Sequence, residues 1–334
     1  MNKEIPKTLR YVYNLIVPSG CREIAIHGYL FRRVQEYKEG VQALQHLISV
    51  YSEFDRPINT GKHAITVQVE SPAKEEKPVL EWGDKTATAL DDILLLLSIF
   101  TLRDVFAAPE PIEKGTAITA DSREYFFGIS TDIGYEAAED KQGNRYNIGF
   151  QKGIERVYTL MRTPKWQKEY ERGRFLLLFR SACKRQILET SFITCWTIWE
   201  ILFTLHNKSW LSEEQIIKLP ASEKILYILT KYQIKAALDE TDRKGVKRFV
   251  KMRNAIVHAG RFVDKAALHD AVLFVRVTAI IVAQILGLTS SDVLGSQTNF
   301  LARLRGQEVV PPWEWEEYHR TRRSTGSAKK RASR

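Results

Sequence analysis

The residues R-N-A-I-V-H at positions 253–258 place an arginine, an amide and a histidine within two turns of a predicted helix. Histidine titrates near neutral pH in its ordinary state, so His258 suits general acid–base work. The planar guanidinium of Arg253 suits bidentate contact with phosphoryl oxygens. Asn254 can orient either the imidazole or a phosphate through its amide. Asn254 and His258 stand four residues apart and share a helix face. Lys244, Lys247, Arg248 and Lys251 line much of the other side, a surface basic enough to attract a phosphate backbone. At 100° per residue, Val246, Val250, Arg253 and Val257 fall in one narrow arc. That spacing predicts an arginine on a core-directed apolar stripe, where it must be paired or open into a cleft.

These side chains need a scaffold, and the second half of the chain supplies a helical one. The motif closes a helix over 241–260, with Thr241 or Asp242 as N-cap candidates and Gly260 as the stop. From about residue 165 the pattern is nearly all helical. One helix is expected over 174–186. A longer one covers 189–207, where Phe192, Trp196, Trp199, Phe203 and His206 recur at helical spacing. One or two short helices, broken near Pro220, cover 212–232. A last helix opens at Asp264 and closes at Gly287. Phe262, in the loop between the last two helices, can plug that corner of the core. The result is a four- or five-helix bundle over 165–290.

The first half is mixed. Residues 21–33 and 63–72 alternate as strands do, and 70–78 read as a polar loop. Residues 86–106 predict a buried helix starting near Thr86 or Thr88. Residues 107–150 are rich in Pro, Gly, Asp and Thr, with short strands expected at 125–131 and 145–150. The fold class is therefore an α+β module over 1–150, then an all-α bundle, then an extension over 291–334 with a basic tail.

The R-N-x3-H arrangement on the third main helix of a bundle resembles the signature of the HEPN superfamily. The W-x-x-W-E-I-L segment on an upstream helix is similar too, and RNAIVHAGRF resembles the Apea-like branch. The likeness covers about residues 165–290. Two other Arg/His pairs have the right gap, Arg22 with His27 and Arg56 with His63, but neither is predicted helical or followed by an amide. The resemblance implies a ribonuclease that uses no metal and no cofactor and cleaves RNA by attack of its own 2′-hydroxyl. Arg253, Asn254 and His258 would form the site, with Glu200 fixing Arg253 and Lys244, Lys247, Arg248 and Lys251 holding RNA. It further implies a homodimer whose two motifs line one cleft, in an interface of the motif helix and the Trp196/Glu200 helix. A role as a toxin or in antiviral defence follows, with residues 1–150 as a sensor or targeting module and a neutralising or trigger protein as a possible partner. Many members of the superfamily bind RNA or nucleotides without cutting, so a non-catalytic binding protein is the alternative. A structural helical dimerisation module is the third reading.

Composition narrows the remaining classes. Of the net charge of +10, seven units lie in the acid-free tail over 320–334, leaving +3 for the body. The tail can hold phosphates non-specifically or simply stay solvated. Cys21, Cys183 and Cys195 are too few and too scattered for a disulfide framework or zinc knuckle, which fits a reducing, cytoplasmic setting. The apolar run at 93–100 is too short to span a membrane. Trp196, Trp199 and Phe203 read as core, His206 as a polar helix end, His269 as helix surface. Asp91 and Asp92 read as partners of a helix N-terminus. The aromatic-acidic segment 313–319 can dock a partner or its own domain. Phosphate-binding loops, nucleophile elbows and zinc-helix motifs are missing from the sequence.

Overall fold

The structure is a computed structural model that describes residues 9–17, 23–45, 48–51, 57–61, 64–101, 104–109, 122–123, 137–139, 145–147, 149–183, 188–235, 238–262, 265–288 and 296–307. The first half is built on an antiparallel sheet of five strands in the order β2-β3-β6-β1-β7. These strands are β1 (Leu9–Tyr13), β2 (Glu23–Ile26), β3 (Tyr29–Arg33), β6 (Ile65–Glu70) and β7 (Phe106–Ala108). The 21–33 segment is a hairpin: His27 and Gly28 form its two-residue turn, both at positive φ (48° and 81°). A turn of that kind matches the right-handed strand twist, and the asymmetry favours Gly at the second position. Ile24, Ile26, Phe31, Val67 and Val69 alternate onto one buried face. A short helix, α1 (Tyr37–Gln45), joins β3 to β4 (Ile48–Tyr51), which pairs with β5 (Pro57–Gly61), and β5 in turn pairs with β8 (Ser122–Arg123). The hairpin of β9 (Ala137–Glu139) with β10 (Arg145–Asn147) completes the strands. The expected strand at 125–131 lies outside the described residues.

The predicted buried helix is α2 (Ala89–Thr101), apolar all round and buried on nearly every side. It packs on β7 and on the helices that follow. Asp92 stands in the first turn of α2, as expected of a partner of the helix N-terminus, and also does more. Its carboxylate is fully buried and accepts hydrogen bonds from Val79 N (2.5 Å), Leu80 N (3.3 Å) and Trp82 Nε1 (2.8 Å), pinning the 79–82 segment. Asp91 does keep the expected role and accepts from Thr88 N at 2.7 Å.

Burial raises the Asp92 pKa to about 6, against the bonds from Trp82, Val79 and Leu80 that lower it. The folded-state value lies above the ordinary 3.8. The folded form therefore binds the proton more tightly, and stability contributed through Asp92 falls as pH rises from 3.8 to about 6. That loss, on the order of 2 to 3 kcal/mol, should appear as a drop in melting temperature across this window. The drop should vanish in Asp92→Asn; an Asn variant with the wild-type pH profile would refute the assignment.

The helical half begins earlier than the sequence predicts. α3 (Gly149–Met161) buries Ile154, Val157, Tyr158 and Met161 at helical spacing. Its glycines at 149 and 153 lower helix propensity and mask the signal. α4 (Pro164–Glu169) is capped by Thr163 with Pro164 in its first turn, and a 3-10 turn (Glu171–Gly173) leads into α5 (Arg174–Cys183). Then come α6 (Leu188–Asn207), α7 (Glu213–Lys218), α8 (Ala221–Lys231), α9 (Glu240–Ala259), α10 (Lys265–Ile285) and α11 (Ser296–Leu304). α6 runs through the aromatic centre, where Phe192, Trp196 and Trp199 pack on Phe274 of α10. Phe262 is half-buried against this core, as expected. The buried side chains of sheet and helices form one contiguous cluster. Cys183 and Cys195 are free thiols inside it, and burial pushes both up, Cys195 to about 12. Within α10, Ala266–Ile285 is long and apolar enough to cross a membrane by length and composition, yet 83% of it is buried inside the protein.

Candidate nucleic-acid interface

The motif helix α9 is capped two residues before Thr241 and three before Asp242. Asp239 is the cap, its carboxylate accepting from Asp242 N at 2.9 Å, and Asp239 N donates to the Asp242 carboxylate at 2.9 Å to complete a capping box. The bond from Asp242 N is the main reason the Asp239 pKa is lowered. Asp242 is fully buried and salt-bridged to Lys235 and, at 3.5 Å, to Arg305. The C-terminal stop is as predicted: Gly260 takes the left-handed conformation (φ 70°) and donates to Ile256 O at 2.7 Å.

The buried face of α9 is Gly245, Val246, Phe249, Met252 and Ile256. Its centre lies roughly 80° round the helix from the arc of Val246, Val250, Arg253 and Val257. Arg253 is therefore half-buried at the flank of the core, and Val257 is 54% exposed. Asn254 and His258 share one exposed face, as their spacing predicts, and Lys244, Lys247 and Lys251 lie on that same face rather than on the other side of the helix. Arg253 lies roughly 140° round from His258 at helical spacing, and its guanidinium donates to Asn254 Oδ1 at 3.1 Å. Thus Asn254 joins the two faces of the motif.

Two expected placements do not occur. Glu200 makes no ion pair with Arg253; its carboxylate accepts from Trp196 Nε1 at 3.1 Å on its own helix. The geometric reason is that α9 packs chiefly on α8 and α11 rather than along α6. Arg248 is not free to hold RNA. It donates to Asp270 Oδ2 (3.2 Å) and to Arg303 O (2.5 Å), while Arg303 donates to the same carboxylate at 2.7 Å. Lys244, Lys247 and Lys251 are exposed and form no ion pair among the described residues.

Sequence reasoning missed α11. It seats its C-terminus on Gly245, where a Cβ would come within 2.0 Å of Leu304 O, so only glycine fits there. Phe300 stacks in tilted contact with Phe249 from the same side. His206, read as a polar helix end, is half-buried among Tyr170, Tyr227 and Tyr232, with the Tyr232 hydroxyl at 2.8 Å. Burial is the chief cause that lowers its pKa, followed by Lys231. His269, read as surface, is half-buried. His27 lies in the hairpin turn and meets Arg162 and Glu76, which themselves pair at 2.6 Å. Arg22, Arg56, His63, Cys21, Asp264, the segment 313–319 and the basic tail lie outside the described residues.

Among the described residues, no three His, Cys, Asp or Glu side chains gather as metal ligands. Comparison of the chain with family models, with curated proteins and with solved structures gives no match.

Proposed function

We propose that the protein is a metal-independent endoribonuclease of the HEPN type, active as a homodimer in the cytoplasm and belonging to toxin or antiviral-defence systems. The observation that carries this reading is the exposed face of α9, where His258 and Asn254 continue a line of free lysines. His258 would remove the proton of an RNA 2′-hydroxyl as its oxygen attacks the adjacent phosphorus. The 5′-oxygen leaves with a proton from the partner's His258, giving a cyclic phosphate and a 5′-hydroxyl. Arg253, held by Asn254, would swing onto the pentacovalent phosphate. Dimerisation is the remedy for a site with a single histidine. Its patch would centre on exposed Val257. Trp196 cannot take part, because it is 1% exposed in the chain's own core.

A second reading, RNA binding without cleavage, is favoured by one observation. Glu200 is engaged with Trp196, so among the described residues Arg253 has the neighbouring amide alone as a hydrogen-bond partner. Cleavage assays in excess EDTA, on protein sized by light scattering, separate the readings. Cutting by a dimer in chelator is the expected result. Activity lost in EDTA and restored by a divalent ion overturns the mechanism, and binding without cutting selects the second reading.

A further inference from the structure

We infer that the segment 313–319, W-E-W-E-E-Y-H, outside the described residues, docks on the exposed lysines of α9 in the same chain and competes there with polyanions. Its regulatory meaning rests on the proposed reading of α9 as the RNA-facing helix; the docking itself does not. Lys244, Lys247 and Lys251 are exposed and form no ion pair among the described residues. They stand three and four residues apart on one face, spacings at which like charges repel along a helix. Other exposed cations are answered by a neighbouring acid, Lys208 by Glu171, Lys218 by Glu214 and Arg243 by Glu223. Arg248, on the same helix, is answered by Asp270. The lysine row is therefore an unpartnered positive face that an acidic segment would neutralise.

The course of the chain points to its own C-terminal segment as the occupant. α11 seats Leu304 O against Gly245, and its Arg305 pairs with Asp239 at 3.6 Å and Asp242 at 3.5 Å. Gly306 (φ 76°) stops that helix by donating to Arg303 O at 3.0 Å, and Gln307 N donates to Ala302 O at 3.0 Å. The chain thus leaves α11 beside the first two turns of α9, level with Lys244. Trp313 follows Gln307 by six residues, a reach of at most about 20 Å. A helix with its side chains is about 10 to 12 Å across, and Lys244 lies about 100° round from Gly245. The segment can therefore arrive over the row. Glu314, Glu316 and Glu317 bring three carboxylates within about 10 Å of extended chain, and the three ammonium groups spread over about 10 Å of helix rise. Trp313 and Trp315 offer ring faces to those ammonium groups and cover to the lysine stems. Glu240, exposed one turn before Lys244 at the same azimuth, repels the carboxylates and bounds the row at that end. A polyanion must displace this tethered competitor, whose effective concentration is set by a short linker.

The test uses the full chain. A carbodiimide joins a lysine to a carboxylate only where the two are in contact, and mixing isotope-labelled with unlabelled protein separates links within a chain from links between chains. Mass spectrometry should find Lys244, Lys247 or Lys251 joined to Glu314, Glu316 or Glu317 of the same chain. Glutamates joined only to Lys329 and Lys330 of the tail, or only to a second copy, overturn the docking. The competition is read by fluorescence anisotropy at low salt with a short 2′-O-methyl oligouridylate, which lacks the nucleophilic hydroxyl and so reports binding alone. Replacing Glu314, Glu316 and Glu317 by Gln should tighten its binding about tenfold, the effect of three exposed ion pairs of ordinary strength. The gain should vanish when Lys244, Lys247 and Lys251 are also replaced by Gln. A gain that persists without the lysines, or no gain in a protein that binds the probe, overturns the competition. The expected cross-links in a protein that does not bind the probe support the docking and count only against α9 as the RNA-facing helix.

Discussion

His258→Ala is expected to lower RNA cleavage by about 10² to 10⁴-fold, the usual contribution of a general acid or base, while melting at the wild-type temperature. The imidazole is exposed at the last turn of α9 and has no hydrogen-bond partner among the described residues, so its removal leaves no cavity and no orphaned group. What it does for the fold is limited to a favourable position near the helix C-terminus, worth a few tenths of a kcal/mol when exposed. Rate and stability should therefore separate cleanly in this variant. A purified His258→Ala protein that cuts RNA at the wild-type rate would remove the catalytic assignment, whatever its affinity for RNA.

The largest stability effect is expected at Asp270, far from any chemistry. Its carboxylate is 4% exposed and lies between Arg248 of α9 and Arg303 of α11. Asp270→Ala would leave the guanidinium groups of Arg303, largely buried, and Arg248, partly exposed, without their shared acceptor. Breaking a fully buried ion pair from one side typically costs about 3 to 5 kcal/mol; because Arg248 keeps partial access to water, about 2 to 4 kcal/mol is expected here. Urea unfolding should show that loss, and Arg248→Met in the same background should recover part of it by removing one unpaired charge. A single variant within 0.5 kcal/mol of wild type, on the order of an ordinary surface substitution, would mean that α11 is not held through this carboxylate.

How much of this was legible depends on the length and polarity of each element. α2, α6, α9 and α10 could be read because long apolar periodicity outweighs local noise. α1 and α11 are nine-residue helices with mixed faces, too short for the period to stand out. On α9 the histidine and amide were legible from spacing alone. The core stripe was misplaced because the valines at 250 and 257 look as apolar as Phe249, Met252 and Ile256, and only packing decides which set is covered. Glu200 was misassigned for a related reason: sequence shows an acid on an upstream helix but not the Trp196 indole one turn away that competes for it. In sequence Arg248 looks like a free cation because its neutralising Asp270 is 22 residues distant in the chain. Asp92 reads as a helix-start acid, and nothing local reveals that the 79–82 segment folds over it.

The seating of α11 on Gly245 has a consequence for biosynthesis. A ribosome makes α9 and α10 before α11, at about 5 to 20 residues per second. Until residues 303 to 305 emerge, the carboxylates of Asp270 and Asp242 lack Arg303 and Arg305, and the groove over Gly245 stands empty. The helix that carries His258 is thus completed on one side before it is braced on the other. A nascent chain stalled between the two would display the motif on a helix held by α8 but not yet by α11, so the final setting of α9 is timed by residues about fifty positions downstream of it rather than by its own sequence.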